Sequence, residues 1–138
     1  MEQYGQHWQT LWERQWGDSA VRISPASWSA PDRDDWVGAV QEAYDEASRR
    51  DSRVVLVAHS LGCWAASVWL NDNSSSPTGG AFLVAPPDPR GRAFPRRAAA
   101  TFVEVSAQPL PCPALVVGSA DDPYWQHGRE LLDSLTQQ

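Results

Sequence analysis

The stretch Val54, Val55, Leu56, Val57, Ala58, His59, Ser60, Leu61, Gly62 constrains the fold more than any other part of the chain. An apolar, β-branched run ends abruptly on a small-His-Ser-x-Gly signature. Side chains that are apolar on both alternating faces belong to a buried parallel strand. A strand stopping at such a signature predicts a sharp turn into a helix, the geometry of a nucleophile elbow. The turn lifts the Ser60 hydroxyl out of the backbone. Flanking small residues are expected to let strand and helix approach closely. The alternative for Ser60 is an ordinary helix-capping serine.

The remaining pattern alternates in the same way. Residues 6–16 read as an amphipathic helix, stopped by Gly17 and Asp18, with Trp8, Trp12 and Trp16 on one face. Such a face laid on a sheet accounts for them. Residues 20–23 predict a short strand. Residues 31–50 predict a helix with Asp32, Asp34 and Asp35 near the positive end of its dipole. Residues 54–58 form the elbow strand and 60–70 the helix after it. Residues 80–85 predict a third strand ended by Pro86 and Pro87, and 88–109 an irregular segment. Residues 114–117 predict a fourth strand and 123–135 a closing helix. Strands alternating with helices give an α/β fold, a mainly parallel sheet with helices on both faces. Its ligands collect at the carboxyl ends of the strands.

At 138 residues, 42% hydrophobic and 20% charged, the chain suits a single domain, 1–138, with a real core. Its net charge of −6 argues against a nucleic-acid or anionic-membrane partner. Arg90, Arg92, Arg96 and Arg97 read as a solvated loop. No apolar run approaches a membrane span, and no basic-then-apolar leader opens the chain. A cytoplasmic protein is expected. Cys63 and Cys112 are too few for a disulfide framework and read as small buried apolar residues. No glycine-rich phosphate loop or Cys-x-x-Cys spacing suggests a cofactor or redox role. Neither a cofactor nor a metal is expected.

A serine hydroxyl needs a base, an acid to orient that base, and N–H donors for the oxyanion. Leu61 N–H, directly after Ser60 at a helix N-terminus, is a candidate oxyanion donor. Asp121 and Asp122, just beyond the 114–117 strand, are candidates for the acid. No base is evident. Of the three histidines, His59 is expected to pack beneath the elbow on the side away from Ser60. His127 follows Asp122 too closely, and His7 opens the first helix.

Five ordered motifs carry a family resemblance. They are His7-Trp8-Gln9-Thr10-Leu11-Trp12-Glu13, Trp28 to Trp36 around Pro31, Val57-Ala58-His59-Ser60-Leu61-Gly62-Cys63, Leu83-Val84-Ala85-Pro86-Pro87, and Gly118-Ser119-Ala120-Asp121-Asp122-Pro123-Tyr124. Together they span nearly the whole chain, which resembles the YdeN-like small serine α/β-hydrolases, relatives of retinoblastoma-binding protein 9. The resemblance implies a minimal α/β-hydrolase fold acting on ester or amide bonds of small substrates. It maps the nucleophile onto Ser60 and the acid onto Asp122, with Asp121 as the fallback. It also implies two departures. Residues 1–6 stand where such proteins carry a first strand and glycine-rich loop, and no residue maps onto the family's C-terminal Gly-His. The fold is therefore expected to be incomplete at both ends, a trimmed or decayed hydrolase, and the literal chain nearly inactive. The competing expectation is a non-catalytic binding module that retains the fold.

Overall fold

In the computed structural model the described residues are 8–119, 121 and 133–136. Helix α1 spans Trp8–Trp16 and runs into a 3-10 turn at Gly17–Ser19. Helix α2 spans Arg33–Arg50, strand β1 Val55–His59, helix α3 Gly62–Asp72, strand β2 Gly80–Val84 and strand β3 Ala114–Val117. A second 3-10 turn occupies Ala100–Phe102. The three strands form one parallel sheet in the order β1-β2-β3. Val57 pairs with Phe82 and Phe82 with Leu115, while His59 pairs with Val84 and Val84 with Val117.

Helix α2 starts where its sequence provides for a start. Asp32 has an extended backbone and accepts a hydrogen bond from Asp35 N at 3.0 Å. That N-cap satisfies one of the helix's orphan donors. Asp34 and Asp35 lie in the first turn, Arg49 and Arg50 in the last, and both sets complement the helix dipole. The Asp35 carboxylate also accepts from Ala26 N and Ser27 N, which folds the preceding loop onto the helix start. Pro31 stands just before the cap rather than inside the first turn.

The core lies between the sheet and the pair α2 and α3. Trp64, Leu83, Ala99 and Phe102 are fully buried, with Trp36, Cys63, Trp69, Leu70 and Val116 around them. Large indoles fit such a core only if their N–H finds an acceptor. Trp64 Nε1 donates to Pro87 O at 2.6 Å, Trp69 Nε1 to Gln41 Oε1 at 2.6 Å, and Trp36 Nε1 to Ser27 O at 3.0 Å.

The opposite face of the sheet is covered by α1. Trp12 stacks on Phe82 with ring centroids 5.6 Å apart, and Trp8 meets Phe82 edge-on at 6.1 Å. Trp8, Trp12 and Trp16 do share one face, with successive centroids 5.0 and 5.3 Å apart, although Trp16 stays 45% exposed. Beyond α1's reach the face is open: Val55, Leu115 and Val117 are 54%, 59% and 41% exposed. No helix among the described residues is long and apolar enough to cross a membrane.

One expected strand is absent among the described residues. Ala20 has extended dihedrals, but residues 20–23 join no ladder. A strand exists only through its partner, and this segment finds a helix instead. Arg22 reaches Glu13 Oε1 at 2.6 Å and Thr10 Oγ1 at 3.3 Å, fastening the segment to α1. The carbonyl of Val57 on β1 is taken by a side chain, Gln9 Nε2, at 3.3 Å. Of the closing helix, residues 133–136 are helical, and the rest of 123–135 lies outside the described residues.

Leu83 is fully buried at the centre of the middle strand. Leu83→Ala should lower the unfolding free energy by about 2–5 kcal/mol. Urea denaturation checks this as a fall in midpoint at unchanged slope.

Candidate active site

The strands are parallel, so β1, β2 and β3 all end on the same edge of the sheet. The turn after β1 is tight. Ser60 is a non-glycine residue with φ +58°, in the left-handed region. Such a conformation costs an L-residue about 1–2 kcal/mol and is kept only where surrounding contacts over-determine it. Those contacts are present. Ser60 N donates to Val84 O at 2.9 Å, extending the β1–β2 ladder by one residue. Cys63 N then donates to Ser60 O at 2.9 Å and Trp64 N to Leu61 O at 3.0 Å, so the helix begins at once. Leu61 is already helical, with φ −59° and ψ −29°. Its N–H belongs to the first donors of α3, which have no partner within the helix. Ser60 itself is half-buried.

Ala85 repeats this geometry on the neighbouring strand. It has φ +56° and donates its N–H to Val117 O at 2.6 Å. Ser60 and Ala85 follow the paired residues His59 and Val84, so the two left-handed residues stand side by side. Alanine gives no sequence signal for that conformation, and the bend is legible only in coordinates.

The segment after Ala85 is built into the same edge. Pro87 O accepts the indole N–H of Trp64, a residue of α3's first turn. Asp88 is buried; its Oδ1 accepts from Arg90 N at 2.9 Å and lies 3.8 Å from Arg90 Nε. Arg96 donates to Gly91 O and Pro89 O. Further on, Thr101 Oγ1 accepts from Arg33 N, the first residue of α2. Sequence reasoning treated residues 88–109 as irregular and missed Asp88. The available signal was an aspartate between two prolines, a setting that favours a side chain folding back onto the backbone.

The other site candidates fall as follows. His59 is half-buried and packs its ring edge-on against Trp8 at 5.9 Å, on the α1 face of the sheet. Asp121 is exposed, a few residues past the end of β3, with its N–H donating to Ser119 Oγ at 3.3 Å. Strands lie about 4.8 Å apart, so the ends of β1 and β3 are separated by about 10 Å, less the reach of the side chains. Asp122, His7 and His127 lie outside the described residues. Gly62 corrects one expectation. A Cβ built on it meets nothing within 4 Å, so close helix–strand approach is not what that glycine provides. The space there is open.

Beneath the elbow, Cys63 Sγ contacts Val84 O at 3.4 Å, and burial pushes its thiol pKa far above the ordinary range. Burial also raises that of Cys112. Both cysteines are free. Neither environment favours a thiolate, so the elbow's only candidate nucleophile is the hydroxyl.

Residues 2–133 match the serine hydrolase family. Among solved structures the chain is similar to a YdeN-like hydrolase from Pectobacterium atrosepticum SCRI1043, with 28% identity and a TM-score of 0.72. The match covers 94% of this chain and 66% of that one, so the chain spans about two thirds of its relative's length. No match was found among the curated proteins.

Two predictions follow from the elbow and the thiols. Ser60→Gly removes the left-handed penalty and should raise stability by up to about 1 kcal/mol, partly offset by the greater entropy of an unfolded glycine. Thermal unfolding checks it, and a variant no more stable than the parent means the turn is unstrained. Ellman's reagent at pH 8 should find both thiols silent in the folded chain and both reactive in denaturant.

Proposed function

The chain belongs to the serine hydrolase family, and from that premise we propose that it hydrolyses ester or amide bonds of small substrates through Ser60. The observation that carries this reading is the left-handed Ser60 followed at once by a helix N-terminus. In this scheme Ser60 Oγ attacks the substrate carbonyl. Leu61 N–H stabilises the negative oxygen that develops there. The leaving group departs with the proton taken from the hydroxyl. Water then attacks the acyl-enzyme, and the acid product leaves while Ser60 regains its proton. Asp122 is the orienting carboxylate, and Asp121 beside it is the alternative.

The proton acceptor sets the rate. The His59 ring is engaged with Trp8 on the α1 face. His59 is the one histidine among the described residues, and a serine without an imidazole beside it keeps only a small part of its activity, with losses on the order of 10⁴–10⁶ in kcat. We therefore expect weak hydrolysis through the described residues acting by themselves. A base supplied from solution should raise it.

The test is hydrolysis of p-nitrophenyl acetate together with labelling by a fluorophosphonate. Slow labelling that Ser60→Ala abolishes is expected. Added imidazole should accelerate turnover by the parent chain beyond its effect on Ser60→Ala. Equal rates for parent and Ser60→Ala, with and without imidazole, would remove Ser60 from the chemistry.

A further inference from the structure

Gly62 stands one residue past the oxyanion donor Leu61, and packing gives it no reason to be a glycine. It is the first residue of α3, with a backbone outside the left-handed region. A glycine in a helix costs stability relative to alanine. Here that cost relieves no clash, because a Cβ would meet nothing within 4 Å. Yet Gly62 is half-buried, so the space beside it has walls.

The helix period identifies those walls. Ala66 and Trp69, at i+4 and i+7, share Gly62's side of α3. That side faces α2: Trp69 Nε1 donates to Gln41 Oε1 at 2.6 Å, and its ring lies 4.7 Å from that of Tyr44. Ala66 and Trp69 are buried, so the α2–α3 interface is closed at their level. At Gly62 it opens. Both helices start at the carboxyl edge of the sheet, so the opening lies on the same edge as Ser60. Leu61 and Val37, near the two helix starts, are apolar and partly buried against the core.

The segment after Ala85 bridges the same two helix starts. It forms a cap at the carboxyl edge, held at Pro87 O by Trp64 in the first turn of α3. Its far end is tied to the start of α2, through Arg33 N to Thr101 Oγ1 at 2.8 Å and through Phe102 against Trp36 at 5.7 Å. A slot therefore remains at the mouth of the α2–α3 interface, beside the elbow. Gly62 Cα is about 3.8 Å from Leu61 Cα. A side chain at 62 would lean toward the helix start and into that slot.

We propose that Gly62 is the specificity-determining residue of the Ser60 site: by carrying no side chain it leaves a slot that takes an unbranched apolar acyl chain. This rests on the reading of Ser60 as the nucleophile. With the carbonyl oxygen at Leu61 N–H, the chain attached to the carbonyl carbon runs over Gly62 toward Ala66. The acyl group occupies the slot rather than the leaving group, because the slot is closed at its inner end and the departing alcohol or amine needs a path to solvent.

The test reads binding and hydrolysis separately. On Ser60→Ala, N-methylhexanamide and N-methylacetamide are titrated while the backbone amide resonances of Leu61 and Gly62 are followed. The hexanamide should bind at least about tenfold more tightly. That preference should vanish in Ser60→Ala/Gly62→Leu. In imidazole buffer, Gly62→Leu should lower the ratio of p-nitrophenyl hexanoate to p-nitrophenyl acetate hydrolysis about tenfold, and Gly62→Ala should lower it less. Gly62→Ala should unfold at no lower a temperature than the parent chain. Equal affinities, no binding of either amide, a preference that survives Gly62→Leu, or an earlier unfolding of Gly62→Ala would overturn the proposal. If the amides behave as expected but the parent chain hydrolyses neither ester faster than Ser60→Ala, the slot stands and the catalytic reading falls. Ser60-dependent hydrolysis without the amide preference leaves the catalytic reading standing and removes the slot.

Discussion

The hydrogen bond from Ser60 N–H to Val84 O, 2.9 Å long, is the contact on which the site depends. It continues the β1–β2 ladder one residue past the last regular pair, His59 and Val84. A chain that turned into the helix without it would have no reason to hold Ser60 at φ +58°. With it, the backbone must satisfy a strand on one side and a helix on the other within a single residue. The left-handed conformation is the solution to both demands. Ala85 meets the same demand one strand over, through its bond to Val117 O. The sheet therefore ends in two adjacent bends rather than one. The first presents a hydroxyl and the second redirects the chain into the cap.

The strain of these bends, about 1–2 kcal/mol each, is small beside what holds the surrounding layers. Trp64, Leu83 and Phe102 are fully buried, and each contributes roughly 1.5–3 kcal/mol or more through apolar area removed from water. Trp64 joins the two scales. Its ring lies in the core, and its N–H fixes the cap at Pro87. The residue that stabilises the elbow helix thus also sets where the cap begins.

The sequence was legible where local pattern and global burial agree. The β1, β2 and β3 runs are apolar at successive positions, which marked them as strands of a parallel sheet, although on the α1 face Val55, Leu115 and Val117 stay 54%, 59% and 41% exposed. The start of α2 was legible from Asp32, Asp34 and Asp35, because capping and dipole effects act within one turn. Residues 20–23 show the limit. Their apolar character is real, yet strand formation depends on a neighbour with free carbonyls and N–H groups. Arg22 reaches Glu13 and Thr10 of α1 instead, and Gln9 occupies Val57 O. The left-handed Ala85 was illegible for a related reason. Nothing about alanine prefers φ +56°, and only the ladder bond to Val117 O imposes it.

The arginine cluster shows how burial changes the meaning of composition. As a sequence, Arg90, Arg92, Arg96 and Arg97 with Asp88 look like mixed charge on a surface loop, where screening leaves little net field. The structure removes Asp88 from that surface and leaves the arginines on it. The buried carboxylate keeps Arg90 beside it, with its Oδ1 3.8 Å from Arg90 Nε. The anchoring residues hold the segment against the core and the helix starts. They are Phe94 and Phe102 in the core, Trp64 at Pro87, and Thr101 at the start of α2. A hydrolytic elbow needs little from its fold beyond a held serine and an N–H. The segment that leaves Ala85 beside Ser60 is itself held, by Trp64 at Pro87 and by Thr101 at the start of α2.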